Sequence, residues 1–141
     1  MVISDYGVSL LRHGFLLFFL ALLTGLAIPA LRNPRIALSA HLSALMNGTF
    51  IATMGLSSAA FALSATALQA LYWVTLYGAY SNWLANLFAA VFGTSSQTPI
   101  AGAGQRGKPW QETLASVGFV SSALAMLVAL AIVLFGLRPR G

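Results

Sequence analysis

The first side chains in this sequence that could support chemistry are two histidines, His13 and His41, because cysteine is absent. Without cysteine the chain cannot hold an iron–sulfur cluster, a thiolate-bound zinc ion or a cysteine nucleophile. The two carboxylates, Asp5 and Glu112, are too few and too peripheral for a zinc site, a general acid–base pair or a proton-coupled transporter. A haem needs one axial histidine and leaves the opposite position open for a substrate. The composition therefore permits a five-coordinate haem enzyme and disfavours other metal chemistry.

A second group of candidates consists of polar residues inside apolar stretches. Asn47 lies six residues after His41, and five more polar residues fall in the third stretch: Tyr77, Tyr80, Ser81, Asn82 and Asn86. Ionisable residues inside a membrane span mark functional sites, whereas Ser, Asn and Tyr often only join neighbouring helices. His41 is therefore a candidate ligand or acid–base group, with a structural role as the alternative.

The spacing of the two histidines indicates separate roles. His13 opens the first apolar stretch and His41 lies near the start of the second, antiparallel one. At 1.5 Å per residue we expect them roughly 15–20 Å apart in depth, too far to share one iron within a chain. His13 directly follows Arg12 and is interpreted as a residue at the membrane interface.

The elements that must position these residues are membrane helices. The chain has 141 residues, of which 59% are hydrophobic and 6% charged, and its mean hydropathy is +0.87. Soluble domains carry about 25% charged residues, so this is an integral membrane protein. Four stretches reach the roughly 20 residues of a bilayer span, at 10–31, 36–62, 67–93 and 111–136. We predict an all-α fold, a four-helix transmembrane bundle forming a single domain over residues 1–141.

The charged residues are informative about partners and, to a small degree, about the membrane orientation. Seven basic and two acidic residues make the net charge +5, and the basic residues flank the apolar stretches, which indicates membrane anchoring and no nucleic-acid partner. One side of the membrane receives three basic residues: Arg12, Arg138 and Arg140. The other side receives four: Arg32, Arg35, Arg106 and Lys108. By the positive-inside rule this excess of one basic residue favours cytoplasmic loops and external termini only weakly, so both orientations stay open.

The third connection and the small residues of the spans suggest function and assembly. A loop of 16 residues over 93–108 is long for so small a protein, and such loops are usually functional. Many Gly, Ala and Ser residues within the spans allow helix backbones to approach closely. The helices leave faces free for neighbours, so we expect a homo-oligomer.

Several motifs along nearly the whole chain identify a family. They are Arg12-His13-Gly14-Phe15, Asn33-Pro34-Arg35, Leu38 through His41 to Asn47-Gly48, Leu76-Tyr77-Gly78-Ala79-Tyr80-Ser81-Asn82-Trp83 and Pro99 through Gly104. Together they resemble the small membrane hydroxylaminobenzene mutases. More distantly the chain is similar to styrene oxide isomerase, a four-helix membrane enzyme that forms trimers with haem b between protomers.

The resemblance implies a function and a set of site residues. It makes His41 the axial ligand of haem b and Asn47 a polar group at the substrate. Asn82 or Asn86 would orient the leaving oxygen, and Tyr80 is a further candidate. The reaction would be an isomerisation of an aryl hydroxylamine to an aminophenol by intramolecular hydroxyl transfer, with haem iron as Lewis acid. The chain would be a multi-pass protein of the bacterial inner membrane and would bind its small aromatic substrate from lipid.

The resemblance also implies a homotrimer, and helix geometry is compatible with haem between protomers. Six residues on a helix correspond to about 600°, so His41 and Asn47 project roughly 120° apart and about 9 Å along the axis. They do not easily face one small cavity inside a single bundle. One helix could instead offer its histidine to one haem and its asparagine to another.

Two alternatives remain at this point. The first is an epoxide-to-aldehyde isomerase, but Asn86 stands where the epoxide isomerases carry a tyrosine, and Gly78 where they carry an aspartate. That departure favours the hydroxylamine branch. The second is a small non-catalytic membrane protein, either a haem or assembly protein or a transporter subunit.

Overall fold

A computed structural model describes residues 4–137 as a set of helices. In chain order these are α1 (Asp5–Ala27), α2 (Pro34–Ser57), α3 (Ala65–Phe92), the short α4 (Pro99–Gly102) and α5 (Pro109–Gly136). Within residues 4–137 the only β-type pairing is an isolated bridge between Phe61 and Leu137. The all-α prediction is confirmed. Arg138 and Arg140, used in the orientation argument, lie outside the described residues.

The helices begin earlier than the apolar stretches because polar caps precede the apolar residues. The Ser4, Asn33 and Ser64 side chains each accept backbone N–H bonds from the first turn, at 3.1–3.2 Å. Pro34 and Pro109 occupy the first helical position of α2 and α5, where a missing N–H costs nothing. Each cap is worth about 1 kcal/mol, and together they fix where the helices start.

The first two helices also end earlier than predicted. Residues Ile28–Ala30 and Ser58–Ala60 form 3-10 turns after α1 and α2. Pro29 lies in the first of these turns, and it can neither donate an N–H nor favour helix for its predecessor. The predicted spans 10–31 and 36–62 therefore included residues that lie beyond the α-helices.

Small residues bring α1 and α2 into close antiparallel contact. A Cβ atom on Gly14 would lie 2.7 Å from the Gly48 carbonyl oxygen, and one on Gly48 would lie 2.8 Å from the Gly14 carbonyl oxygen. A Cβ on Gly55 would likewise lie 2.7 Å from the Gly7 carbonyl oxygen. The two backbones thus touch along the pair, as the abundance of small residues predicted.

The long helices form two packed pairs, α1 with α2 and α3 with α5, which are joined through α2 and α3. Over the described residues α5 has no helix neighbour other than α3, and α1 approaches α3 at only a few points. Large side chains of α1 and α3 fill the space between those two helices, and several of them form the contacts described below.

Three helical segments are long and apolar enough to cross a membrane. They are Asp5–Ala30, Pro34–Ala60 and Pro109–Gly136, with mean hydropathies of 1.9, 1.2 and 2.6 in their most apolar windows. The predicted third span, 67–93, coincides with α3, which has 28 residues but is not among these segments. Its Asn, Ser and Tyr residues lower its hydropathy. The chain is a membrane protein in which α3 is long enough for a span but falls below the hydropathy of these three segments.

The long connection between α3 and α5 is folded. The Asn33 side-chain amide donates to the carbonyl oxygens of Ala101 and Gly102, both at 3.2 Å. Three backbone N–H groups, of Ser95, Ser96 and Gly107, donate to the Glu112 carboxylate at 2.8–3.2 Å. These contacts tie the loop to the starts of α2 and α5.

Candidate functional site

His41 lies on α2 against the last turns of α1. Its Nδ1 atom is 2.8 Å from the Ala21 carbonyl oxygen. A carbonyl can only accept, so Nδ1 carries the proton, and the neutral tautomer with that proton has its lone pair on Nε2. Within residues 4–137 no hydrogen bond to Nε2 is formed. This is the tautomer in which a histidine can bind a metal through Nε2 while its other nitrogen is held in place.

A glycine on α1 makes room for this ring. A Cβ atom on Gly25 would lie 2.8 Å from Nδ1 and 3.0 Å from Cε1 of His41. Gly25 and the Ala21 carbonyl together form the surface on which the imidazole rests. Leu22 on α1 and Leu38 and Leu42 on α2 lie close to this point in sequence, and all three are exposed. Exposed apolar side chains therefore lie near the histidine along both helices.

The predicted asparagines form a separate cluster between α2 and α3. The Asn47 side-chain amide donates to the Asn82 Oδ1 atom at 3.4 Å and to the Ala79 carbonyl oxygen at 3.5 Å. One turn further, the Asn86 amide donates to the Asn82 carbonyl oxygen at 2.9 Å. The two Asn47 contacts are at the long limit of hydrogen bonding. A substrate with a polar group could replace them at little cost.

His41 and Asn47 face different helices, as their 120° separation on α2 predicted. His41 contacts α1 and Asn47 contacts α3. Within one chain the structure therefore does not bring the histidine and the asparagines into a common cavity.

Tyr80 is likewise apart from the asparagines. Its hydroxyl lies 3.2 Å from Nδ1 of His13 and donates to the His13 carbonyl oxygen at 3.4 Å. The His13 ring also meets the edges of Tyr72 and Tyr80 at centroid distances of 6.1 and 5.9 Å. Interpreting His13 as an interfacial residue missed these partners, because Tyr72 and Tyr80 lie on α3, 59 and 67 residues further along the chain.

The two histidines are separated along α1. His13 lies eight residues before Ala21, the residue that holds His41, which is about 12 Å along the helix axis. This is slightly less than the predicted 15–20 Å. The described residues contain no group of three or more His, Cys, Asp or Glu side chains that could hold a metal ion. A haem with one protein ligand remains compatible with His41.

One further contact near His41 was not predicted. The Trp83 indole N–H of α3 donates to the Thr24 hydroxyl of α1 at 3.1 Å, and that hydroxyl donates to the Leu20 carbonyl oxygen at 2.8 Å. Thr24 is buried and lies directly before Gly25. A threonine in an apolar helix suggested no special role from sequence, so only the fold exposes this pairing.

An apolar groove of about 450 Å³ lies between α3 and α5. Leu84, Phe88, Phe92, Leu114 and Gly118 are among its lining residues, and neither histidine is. The groove opens along the sides of the helices, where lipid would lie. Its position, remote from His41, makes it a poorer candidate for the reaction than the surface around the histidine.

Comparison with known proteins gives consistent results. The family model for styrene oxide isomerase matches residues 6–138. Hydroxylaminobenzene mutase HabB of Ectopseudomonas oleovorans is 42% identical over 130 residues, which cover 92% of this chain and 79% of that protein. Hydroxylaminobenzene mutase HabA of the same organism is 34% identical over 129 residues, covering 91% and 96%. No solved structure matches significantly.

The family match and the two relatives each extend over more than nine-tenths of the chain, and the family match, over residues 6–138, includes both histidines and the asparagine cluster. The chain therefore belongs to the styrene oxide isomerase family.

Proposed function

We propose that this protein is a hydroxylaminobenzene mutase, an isomerase that converts an aryl hydroxylamine to an aminophenol by intramolecular hydroxyl transfer. The observation that carries the proposal is the 42% identity to a protein of that name over 92% of the chain. In the reaction the N–O bond breaks and the oxygen forms a C–O bond to a ring carbon. That carbon loses its hydrogen, and the nitrogen gains one, so the product is an isomer of the substrate. No net oxidation or reduction takes place.

We propose that His41 holds a haem b through Nε2. The hydrogen bond from Nδ1 to the Ala21 carbonyl oxygen fixes the ring and its tautomer. Gly25 has no side chain, which leaves space for the ring against α1. The exposed leucines beside it would cover part of an apolar macrocycle. When bound there, ferric haem supplies a Lewis acid that can polarise the hydroxylamino group.

On the substrate side, Asn47 and Asn82 are the residues best placed to orient the departing oxygen. Their mutual contact is long, and a hydrogen bond to substrate gains strength in a site that excludes water. Asn86 donates within its own helix and would hold the Asn82 backbone in position. Tyr80 would act on substrate only if the active site extends to the side of α3 that faces α1.

We propose that α1, α2, α3 and α5 all cross the bacterial inner membrane, as a four-helix, multi-pass protein. α3 has 28 residues, about 42 Å, which is enough for a span. Several of its polar groups contact other helices: Asn82 contacts α2, and Tyr80 and Trp83 contact α1. These groups therefore do not have to face lipid when α3 crosses the membrane. The substrate is small and lipid-soluble, so an enzyme within the bilayer can reach it directly.

We further propose a homotrimer with haem between protomers. Nε2 of His41 forms no hydrogen bond within residues 4–137, and Leu22, Leu38 and Leu42, which are close to this point in sequence, are exposed. A second copy would supply the other wall of the haem site. It could also bring an Asn47 cluster to the haem held by the first copy, which a single chain does not do.

The second candidate function is an epoxide-to-aldehyde isomerase, which the family match itself suggests. Purified protein should be supplied in parallel with hydroxylaminobenzene and with styrene oxide, after a Soret absorption spectrum has been recorded. Aminophenol formation by a haem-containing preparation supports the mutase. Phenylacetaldehyde as the only product would support the epoxide isomerase, and inactivity on both substrates would support a non-catalytic protein.

A further inference from the structure

Thr24 and Trp83 form the hydrogen bond between α1 and α3 that lies nearest to His41. Trp83 Nε1–H donates to the Thr24 hydroxyl at 3.1 Å. Because that hydroxyl donates in turn to the Leu20 carbonyl oxygen at 2.8 Å, both its proton and a lone pair are used. Thr24 is 5% exposed, so neither bond can be replaced readily by water.

This bond acts on the helical turn that holds His41. Thr24 lies between Ala21, whose carbonyl accepts from His41 Nδ1, and Gly25, whose missing side chain admits the ring. Thr24 faces α3, while Ala21 and Gly25 face α2. Since α1 meets α3 at few points, the Trp83 bond is one of the few contacts that hold this turn on its α3 side.

We propose that Thr24 and Trp83 are positioning residues for His41. They hold the Ala21–Gly25 turn of α1 at the distance from α2 at which the imidazole is locked with Nε2 outward. Neither residue touches the cofactor in this role. The inference rests on the proposed haem site at His41 and adds two residues to it that bind no iron.

The test is haem titration of the apoprotein followed by the Soret band, together with turnover. Thr24→Val keeps the shape of the side chain but removes the hydroxyl, and Trp83→Phe removes the indole N–H. Each should weaken haem binding by about 10- to 100-fold, the range found for partners that orient metal-ligating histidines. Thr24→Ser should restore binding. The double variant should be no weaker than either single variant, because all three remove the same bond.

A matched control lies on the same two helices. Ser9 and Tyr72 form another hydrogen bond between α1 and α3, at 2.8 Å, fifteen residues before Thr24. Ser9→Ala and Tyr72→Phe remove an equivalent bond remote from His41 and should leave haem affinity within about twofold of the original. Helical circular dichroism confirms that each variant is folded.

The outcomes are distinct. Folded Thr24→Val or Trp83→Phe protein with unchanged haem affinity overturns the inference, as does equal weakening in the Ser9 and Tyr72 controls. If Thr24→Val does not fold, the haem affinities of Trp83→Phe and Tyr72→Phe are compared instead. Equal affinities overturn the inference, and a weaker affinity only in Trp83→Phe supports it. If the unaltered apoprotein takes up no haem, the proposed cofactor itself is wrong.

Discussion

At the scale of single residues, His41 should be the position at which substitution changes most. Its Nδ1 is held by the Ala21 carbonyl oxygen, and within residues 4–137 its Nε2 forms no hydrogen bond. His41→Ala should abolish or greatly weaken the Soret band and abolish turnover. His13→Ala should retain the haem spectrum, because His13 lies about 12 Å away along α1 and bonds Tyr80. A His41→Ala protein with an unchanged spectrum and normal activity would place the iron elsewhere.

Gly25 tests the geometry of the same ring without altering a ligand. A methyl group there would lie 2.8 Å from His41 Nδ1, so Gly25→Ala must displace the imidazole. We expect a lower haem-to-protein ratio after purification. Gly118→Ala is the matched control, because its Cβ would lie 2.9 Å from Ala85 at the α3–α5 contact, remote from His41. Equal haem loss in both variants would mean that general helix packing, and not the imidazole position, is responsible.

Asn47 should separate substrate binding from cofactor binding. Asn47→Ala removes an amide that faces α3 and no iron ligand, so the Soret band should persist. Turnover should fall by up to about 100- to 1000-fold, the usual effect of losing one oriented donor. Thr49→Val serves as control, because that hydroxyl is exposed and bonds only its own helix. Loss of haem from Asn47→Ala protein would contradict the assignment.

At the scale of helices, Asn33 performs two functions that can be separated. Its Oδ1 caps α2, and its amide group ties down the connection that contains α4. Asn33→Ser keeps a capping oxygen and loses the tie, whereas Asn33→Ala loses both. Asn33→Ala should lose about 1 kcal/mol more stability than Asn33→Ser. Thermal unfolding in detergent measures this difference.

Both variants should also expose the connection between α3 and α5 to protease, because each lacks the amide donor. Cleavage rates within residues 93–107 give that second reading. Equal stability of the two variants would show that the cap contributes nothing measurable. A cleavage rate in Asn33→Ser equal to that of the unaltered protein would show that the remaining contacts, among them those of Glu112 and the Gln105 bond to the Arg32 carbonyl oxygen, hold the loop without Asn33.

The sequence predicted the existence of the long helices well and their ends less well. Apolar runs identify the membrane helices, but capping residues such as Ser4 and Ser64 lie outside the runs, and Pro29 ends α1 inside one. α3 shows the opposite case. Its polar residues lower its hydropathy, so α3 is harder to identify as a span. The same residues form its contacts with α1 and α2, through Tyr80 and Asn82.

The candidate site was predictable in part. The separation of Tyr80 from Asn82 follows from the sequence, since residues two positions apart on a helix do not face the same way. The separation of His41 from Asn47 follows in the same way. The pairing of His13 with Tyr80, and of Thr24 with Trp83, does not follow, because it depends on which faces of α1 and α3 meet. Such pairings are set by packing over the whole chain.

At the scale of the whole molecule, the helices lie as two pairs joined through α2 and α3, so a single chain has wide open faces. Phe15, Phe19 and Leu26 are exposed on α1, and α5 exposes apolar residues along most of its length. In a membrane, lipid or another copy covers such faces. The face formed by α1 and α2 also carries His41, whose Nε2 forms no hydrogen bond within residues 4–137. A haem bound there would lie at the edge of a single chain, but it would be enclosed between chains in the proposed trimer.

The assembly itself is the last prediction. Light scattering in detergent should give a protein mass of three 14.8 kDa chains, with haem bound. Because each haem would be covered by two copies, dilution or harsher detergent should release haem and dissociate the trimer together. His41→Ala serves as control: if apolar helix faces hold the trimer, it should remain trimeric without haem. A monomer that retains one tightly held haem would contradict the arrangement, because a single chain leaves Nε2 of His41 uncovered.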